Sequence, residues 1–173
     1  MKIRRIGAVL LALAMLLPTV ALAKTIVVDA ADYEISKDGW YDGMEEVAIY
    51  LTFFDKLPGN YITKREAQNL GWDNRKGNLW SVAEGCSIGG DRFGNYEGIL
   101  PDQKGRKWTE CDIDFDGGYR NGKRVVFSND GLIYYTGDHY QTFDEVEVIW
   151  TDKVDSFLSG EELKDFVNWL YGE

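Results

Sequence analysis

Ser87 to Phe115 holds the residues best suited to chemistry: two segments of strand character flank a Gly-rich loop carrying Asn95 and Glu97. The second segment alternates Trp108 with Glu110, and the single histidine, His139, follows in Asp138-His139-Tyr140-Gln141-Thr142-Phe143. A carboxylate that takes a proton, a histidine that gives one, and cations that offset charge on phosphoryl oxygens meet the needs of metal-free phosphodiester cleavage. The candidate cations are Lys64, Arg106, Arg120 and Arg124. Each residue also has a plainer reading. A lone histidine is more often structural, an acid in a strand usually lies on the solvated face, and four cations among 29 acids fit ordinary salt bridges. The polar stretch around His139 favours function, because loops carry functional residues disproportionately.

The elements that must position these groups begin after residue 23. Lys2, Arg4 and Arg5 precede an apolar run from Ile6 to Leu17, and Pro18 leads on to Ala21-Leu22-Ala23, a small-x-small cleavage pattern. This is the pattern of a secretory signal peptide, and the run is short for the alternative, a membrane anchor. Cleavage after Ala23 leaves 150 of the 173 residues, enough for one domain with a real core. An aromatic content of 14% with six tryptophans argues for a packed globule rather than disorder. Losing three cations takes the net charge from −10 to −13, an awkward balance for binding a polyanion, which normally draws on a basic surface. A local cluster of cations would reconcile the two. Cys86 and Cys111, in an exported chain, point to a disulfide. They stand at the outer ends of the two strand segments, where a hairpin would join them, and a bridge across such a loop stabilises by roughly 3–4 kcal/mol. A metal site or a nucleophilic thiol is the rival reading, poorly served by two cysteines, one histidine and no Cys-x-x-Cys.

Taken in order, Lys24 to Lys37 alternates loosely, as an arm or pro-segment without an assignable role. Asp42 to Phe54 places Met44, Val47, Ile49 to Leu51 and Phe54 close to helical spacing, with Asp42 as N-cap, Glu45 three residues on and Leu57-Pro58-Gly59-Asn60 as the stop. Thr63-Lys64-Arg65-Glu66 is a capping box opening a helix that ends at Gly71. Asn78 caps a further turn or two through Val82, closed by Gly85. Ser87–Arg92, Arg106–Asp112, Arg124–Ser128, Leu132–Thr136 and Phe143–Trp150 then read as five strands, with an Asn129-Asp130-Gly131 turn. Ser159-Gly160-Glu161-Glu162 opens a C-terminal amphipathic helix with Leu163, Phe166, Val167 and Leu170 at i, i+3, i+4, i+7. Helices followed by antiparallel strands is an α+β order, here a five-stranded antiparallel sheet with N-terminal helices packed on it and an additional C-terminal helix. No repeat or internal linker interrupts the chain.

Several blocks are long and unusual: Tyr61-Ile62-Thr63-Lys64, Glu66-Ala67-Gln68, Leu70-Gly71-Trp72, Lys76-Gly77-Asn78-Leu79 and Ser87-Ile88-Gly89-Gly90-Asp91. With Asn95, Glu97-Gly98, Leu132-Ile133-Tyr134 and Asp138 to Phe143, they resemble the barnase-like family of microbial guanyl-specific ribonucleases nearly without gaps from about Glu46 to Phe143. The resemblance divides the chain into a signal peptide (1–23), a ribonuclease domain with an N-terminal arm (24–143) and a C-terminal extension (144–173). It implies the microbial ribonuclease fold, no cofactor and no metal. Glu110 falls at the general-base position and His139 at the general-acid position, for transphosphorylation to a 2′,3′-cyclic phosphate that water then opens. Lys64, Arg120 and Arg124 match cations on the phosphoryl oxygens, Arg106 another arginine of the site, and Tyr140 an aromatic that stacks at the substrate. Phe93-Gly94-Asn95-Tyr96-Glu97 matches the loop that reads guanine, Glu97 accepting from N1–H and the 2-amino group.

Asp112, two residues beyond Glu110 on the same strand face, is placed to pair with Arg120 and Arg124. The chain departs from the family pattern in carrying Tyr96 where that has arginine, Gly94 where it has serine, two cysteines, an acidic surface and the extension. The implied protein is a secreted, extracellular, monomeric endoribonuclease acting on single-stranded RNA, without membrane association, restrained inside the producing cell by a small acidic protein inhibitor (barstar-like). The alternative is a non-catalytic RNA- or protein-binding module on the same fold. The extension either covers an exposed sheet edge or apolar patch, or shields the cationic cleft.

Overall fold

The computed structural model describes residues 24–151; the expected signal peptide and C-terminal helix lie outside them. Helix α1 (Met44–Phe54) forms because its apolar residues recur on one face: Val47, Ala48 and Leu51 are buried against the sheet. Its N-cap is Gly43 rather than Asp42, with no side-chain cap; the Glu46 carboxylate lies over Gly43, where a Cβ would meet Oε2. Asp55 ends the helix in the left-handed region, its N–H reaching Leu51 O at 2.9 Å. Helix α2 (Lys64–Asn69) begins with the expected capping box. Thr63 Oγ1 accepts from Glu66 N at 3.2 Å, and the Thr63 N–H donates to Glu66 Oε2 at 2.8 Å. Helix α3 (Leu79–Val82) is a single turn, and Asn78 does not cap it. The Asn78 amide accepts from Asp73 N and donates to Gly71 O, closing the preceding loop.

The five expected strands are present, as β3 (Ser87–Phe93), β4 (Trp108–Asp112), β5 (Arg124–Ser128), β6 (Ile133–Thr136) and β7 (Asp144–Ile149). The sheet is nonetheless seven-stranded and mixed, which corrects the five-stranded antiparallel expectation. Strand β1 (Thr25–Asp29), from the arm that had no assigned role, pairs parallel to β7, and β2 (Tyr61–Ile62) pairs parallel to β3. Two residues carry no periodicity, and the partner of β1 is far away in sequence, so neither strand leaves a local signal. The order is β1-β7-β6-β5-β4-β3-β2.

Alternation splits the sheet's side chains between two cores. Cys111, Val125, Ile133 and Val146 meet α1 on one face, while Trp108, Val126, Tyr134 and Phe143 gather with Leu100 on the other. A third cluster, Ala67, Trp72, Leu79, Ile88 and Phe115, seats α2 and α3 at the β2 end.

The expected Cys86–Cys111 disulfide is absent: both thiols are free. The hairpin register is the reason. Gly89 stands opposite Cys111, so Cys86 lies three residues further along, an offset of about 10 Å at strand rise and beyond the reach of a disulfide. Burial raises the thiol pKa of Cys111 and, to a smaller degree, of Cys86.

Candidate active site

Glu110 sits at the centre of β4 with its neighbours set by register: Asp91 on one side, Val126 on the other. It is 8% exposed and held from two directions. Lys64 Nζ lies 2.5 Å from Oε1, and the Tyr140 hydroxyl donates to Oε2 at 2.7 Å. Local structure explains the first contact. The Thr63 capping box makes Lys64 the first residue of α2, and its N–H donates to Asp91 Oδ2 at 2.9 Å, tying that turn to the strand beside Glu110. A bulge at Gly90, φ +89°, turns β3 there. A carboxylate has about four lone-pair positions, so two bonds orient Glu110 and still leave acceptor capacity for a substrate proton.

Asp112, 1% exposed, is the second carboxylate on this face. It grips Arg120 through two hydrogen bonds of 2.6 Å. Arg124 Nε lies 2.9 Å from Asp112 Oδ1 as an ion pair but off the angle for a hydrogen bond, and it is the one buried side-chain nitrogen or oxygen of the described residues without a hydrogen-bond partner. Burial opposes the charge of Arg120, and Asp112's bonds and charge outweigh it, leaving the pKa raised. Asn121 closes the loop carrying Arg120: its amide donates to Ile113 O and Asp114 O and accepts from Lys123 N.

The second half of the site comes from the loop after β6. His139 and Tyr140 both have positive φ, 58° and 71°, a conformation non-glycine residues adopt only when neighbours impose it. Asp138 does so. Its Oδ1 accepts from Thr136 Oγ1, Gln141 N and Thr142 N, and its Oδ2 from Thr142 Oγ1. The Thr142 hydroxyl and N–H, with Thr136 and Gln141, hold this carboxyl down at about 2. The His139 N–H donates to Gly122 O at 3.0 Å, joining the loop to the segment before Arg124. The imidazole is exposed and has no hydrogen-bond partner among the described residues, its ring 4.9 Å from that of Tyr140. Tyr140 stacks on Phe93 at 5.4 Å, and burial followed by its bond to Glu110 raises its pKa, so the hydroxyl remains a donor.

A cleft of about 290 Å³ runs between His139, Tyr140 and Phe143 on one wall and Phe93, Asn95, Glu97 and Ile99 on the other. Its outer wall is the Gly94–Leu100 loop. Asn95, φ 46°, shapes that loop: its amide donates to Leu100 O and accepts from Leu100 N. Glu97 is exposed, and Tyr96 is 92% exposed. The Tyr96 ring lies over Gly94, where a Cβ would displace that exposed ring.

The structure thus brings Lys64, Glu110, Arg120, Arg124 and Tyr140 together, with His139, Phe93, Asn95 and Glu97 along the adjoining cleft. Arg106 lines a neighbouring hollow of about 200 Å³ with Phe93, Gly94 and Asn95, on the other side of the same loop. Its guanidinium is committed to Asp130, Pro101 O and Gln103 Oε1 and lies over the Trp108 ring, so it braces the 101–106 segment. Asp91, Asn121 and Asp138 were not singled out from the sequence. Only their spacing to nearby Ser, Thr or backbone turns marks them, a signal common to many surface acids and amides.

A buried, oriented carboxylate, a histidine with no hydrogen-bond partner among the described residues and clustered cations thus share one end of an α+β scaffold. Comparison with known proteins identifies the family. The ribonuclease family profile matches residues 46–147. Ribonucleases of Bacillus intermedius and Bacillus pumilus are each 54% identical over 106 residues, 61% of this chain and 64% of theirs. The chain therefore matches a little under two thirds of the length of those two relatives. A Heyndrickxia coagulans ribonuclease is 54% identical over the same length, 94% of its own chain. A crystal structure of ribonuclease Sa2 with guanosine-2'-cyclophosphate is 34% identical over 32% of this chain and 60% of its own, with a TM-score of 0.30, too partial an overlap to bear on the fold. The chain belongs to the ribonuclease family.

Proposed function

We propose that the protein is a secreted, guanine-preferring endoribonuclease that cleaves by general acid–base catalysis. The observation that carries this reading is Glu110, held between Lys64 and Tyr140 with acceptor capacity to spare, beside a cleft whose wall includes the uncommitted imidazole of His139. Glu110 takes the proton of the ribose 2′-hydroxyl, and the 2′-oxygen attacks phosphorus in line. His139 protonates the departing 5′-oxygen, leaving a 2′,3′-cyclic phosphate. Water then opens the ring with the two roles exchanged, giving a 3′-phosphate. Lys64, Arg120 and Arg124 are fixed in place by protein partners, so the charge developing on the phosphoryl oxygens meets donors that need little reorganisation.

Guanine preference rests on the loop wall of the cleft. Backbone N–H groups there suit the O6 acceptor, and the exposed Glu97 carboxylate suits the N1–H and 2-amino donors; adenine presents an amino group where guanine has an acceptor. Secretion rests on residues 1–23, and a small acidic inhibitor is the partner that suits a cationic cleft. The test is cleavage of GpN and ApN dinucleotides by the protein alongside Glu110→Gln and His139→Gln. GpN cleavage with a bell-shaped pH profile is expected, reduced at least about 100-fold in each variant. Equal rates on ApN would remove the guanine preference, and full activity in either variant would remove the mechanism.

A further inference from the structure

The face of the sheet opposite the catalytic cleft is incompletely covered. Strands β6 and β7 pair only at Tyr134↔Glu145 and Tyr135↔Asp144, after which β7 turns to pair with β1. The splay opens a hollow of about 470 Å³ between Gly131–Ile133 and Glu145–Val148. It shares Thr52, Gly131, Leu132 and Ile133 with a groove of about 420 Å³ that also reaches Leu51 and Phe127. Gly131 leaves the mouth open: a Cβ there would meet nothing within 4 Å. Leu51 and Ile133 belong to the main core, so the groove is a gap in that core's wall rather than a surface dimple.

We propose that this groove is the docking site for the chain's own C-terminal segment, residues 152–173. The exit of β7 points to that occupant. Trp150 packs on Phe53 at a ring separation of 6.0 Å, both side chains about half exposed or more, and Phe53 adjoins Thr52, which lines both hollows. Thr151 is then anchored to Asp29 through its N–H and hydroxyl. The 22 residues that follow therefore start at the end of the groove. They carry Leu163, Phe166, Val167 and Leu170 at helical spacing, an apolar stripe about 10 Å long, to set against the Leu51, Phe127, Leu132 and Ile133 side chains within a groove whose other lining is polar.

Charge does not select the occupant: Glu161, Glu162, Lys164 and Asp165 border the stripe, and the hollows are lined by Lys107 but also by Asp55, Glu145 and Glu147. A tethered segment has an effective concentration in the millimolar range, which favours it over a free partner. The inference concerns the face away from Glu110 and stands whether or not the guanine reading holds.

The test compares the full chain with a variant ending at Thr151 and with full-length Phe166→Asp, by hydrogen exchange at residues 51–55 and 127–133, dye binding to apolar surface, and RNA cleavage. Both variants are expected to exchange these amides at least about 10-fold faster and to bind severalfold more dye, since local opening free energy tracks buried apolar contact. RNA cleavage is expected to stay within about two-fold of the full chain. Unchanged exchange at the groove would overturn the proposal. So would a gain in cleavage on truncation without a change at the groove, which would put the segment over the catalytic cleft. Groove protection that falls on dilution of the full chain would assign the groove to a second copy instead.

Discussion

Glu110 owes its position to two residues that reach it from different parts of the chain, Lys64 from the start of α2 and Tyr140 from the loop after β6. Asp112 plays the equivalent part for the cations, with Arg120 and Arg124 both drawn to one buried carboxylate. Removing one member of a buried ion cluster leaves the others uncompensated, at a typical cost of about 3–5 kcal/mol. Asp112→Ala is therefore expected to lose stability of that order in denaturant titration and to lower RNA turnover as the arginines lose their fixed geometry. Wild-type stability in this variant would show that the cluster contributes little net energy.

At the scale of elements, the 137–142 loop depends on Asp138, whose carboxylate gathers four donors. Its pKa falls from 3.8 to about 2 through hydrogen bonds led by the Thr142 hydroxyl. Asp130 also falls to about 2, chiefly through Arg106. A carboxyl lowered in the folded state stabilises above its unfolded pKa, and that contribution is lost as pH falls through the folded value. The melting temperature is therefore expected to drop between about pH 4 and pH 2, less steeply in Asp138→Asn. An identical slope in the variant would mean that the Asp138 bonds do not differ between folded and unfolded chains.

For the whole molecule, the tension is between an acidic chain, −10 in all, and a site proposed to hold phosphate. The structure resolves it by grouping Lys64, Arg120 and Arg124 around Glu110 and Asp112. Cations this close act within the screening length of about 8 Å at physiological salt, whereas the acids elsewhere repel RNA over longer distances. Raising salt from low to physiological strength should therefore screen the repulsion first. The expected kcat/KM on polynucleotide is flat or rising over that range, unlike the steep fall of a basic nucleic-acid binder. A steep fall would show that the cleft dominates the field at all distances.

What was legible from the sequence was local. Periodicity marked α1 and the five central strands, the Thr63 capping box placed Lys64 on the first turn of α2, and the residue types of Glu110, His139 and the arginines marked the chemistry. These signals survive because each depends on residues within a few positions of one another. Tertiary structure alone decided the rest. The parallel outer strands β1 and β2, the register that separates Cys86 from Cys111, the engagement of Arg106 by Asp130 and the bond from Tyr140 to Glu110 all join segments distant in sequence. Asp138 is the instructive case: its bonds are short-range, yet their consequence, a histidine and a tyrosine held at positive φ beside β4, exists only once the sheet has brought that loop to Glu110.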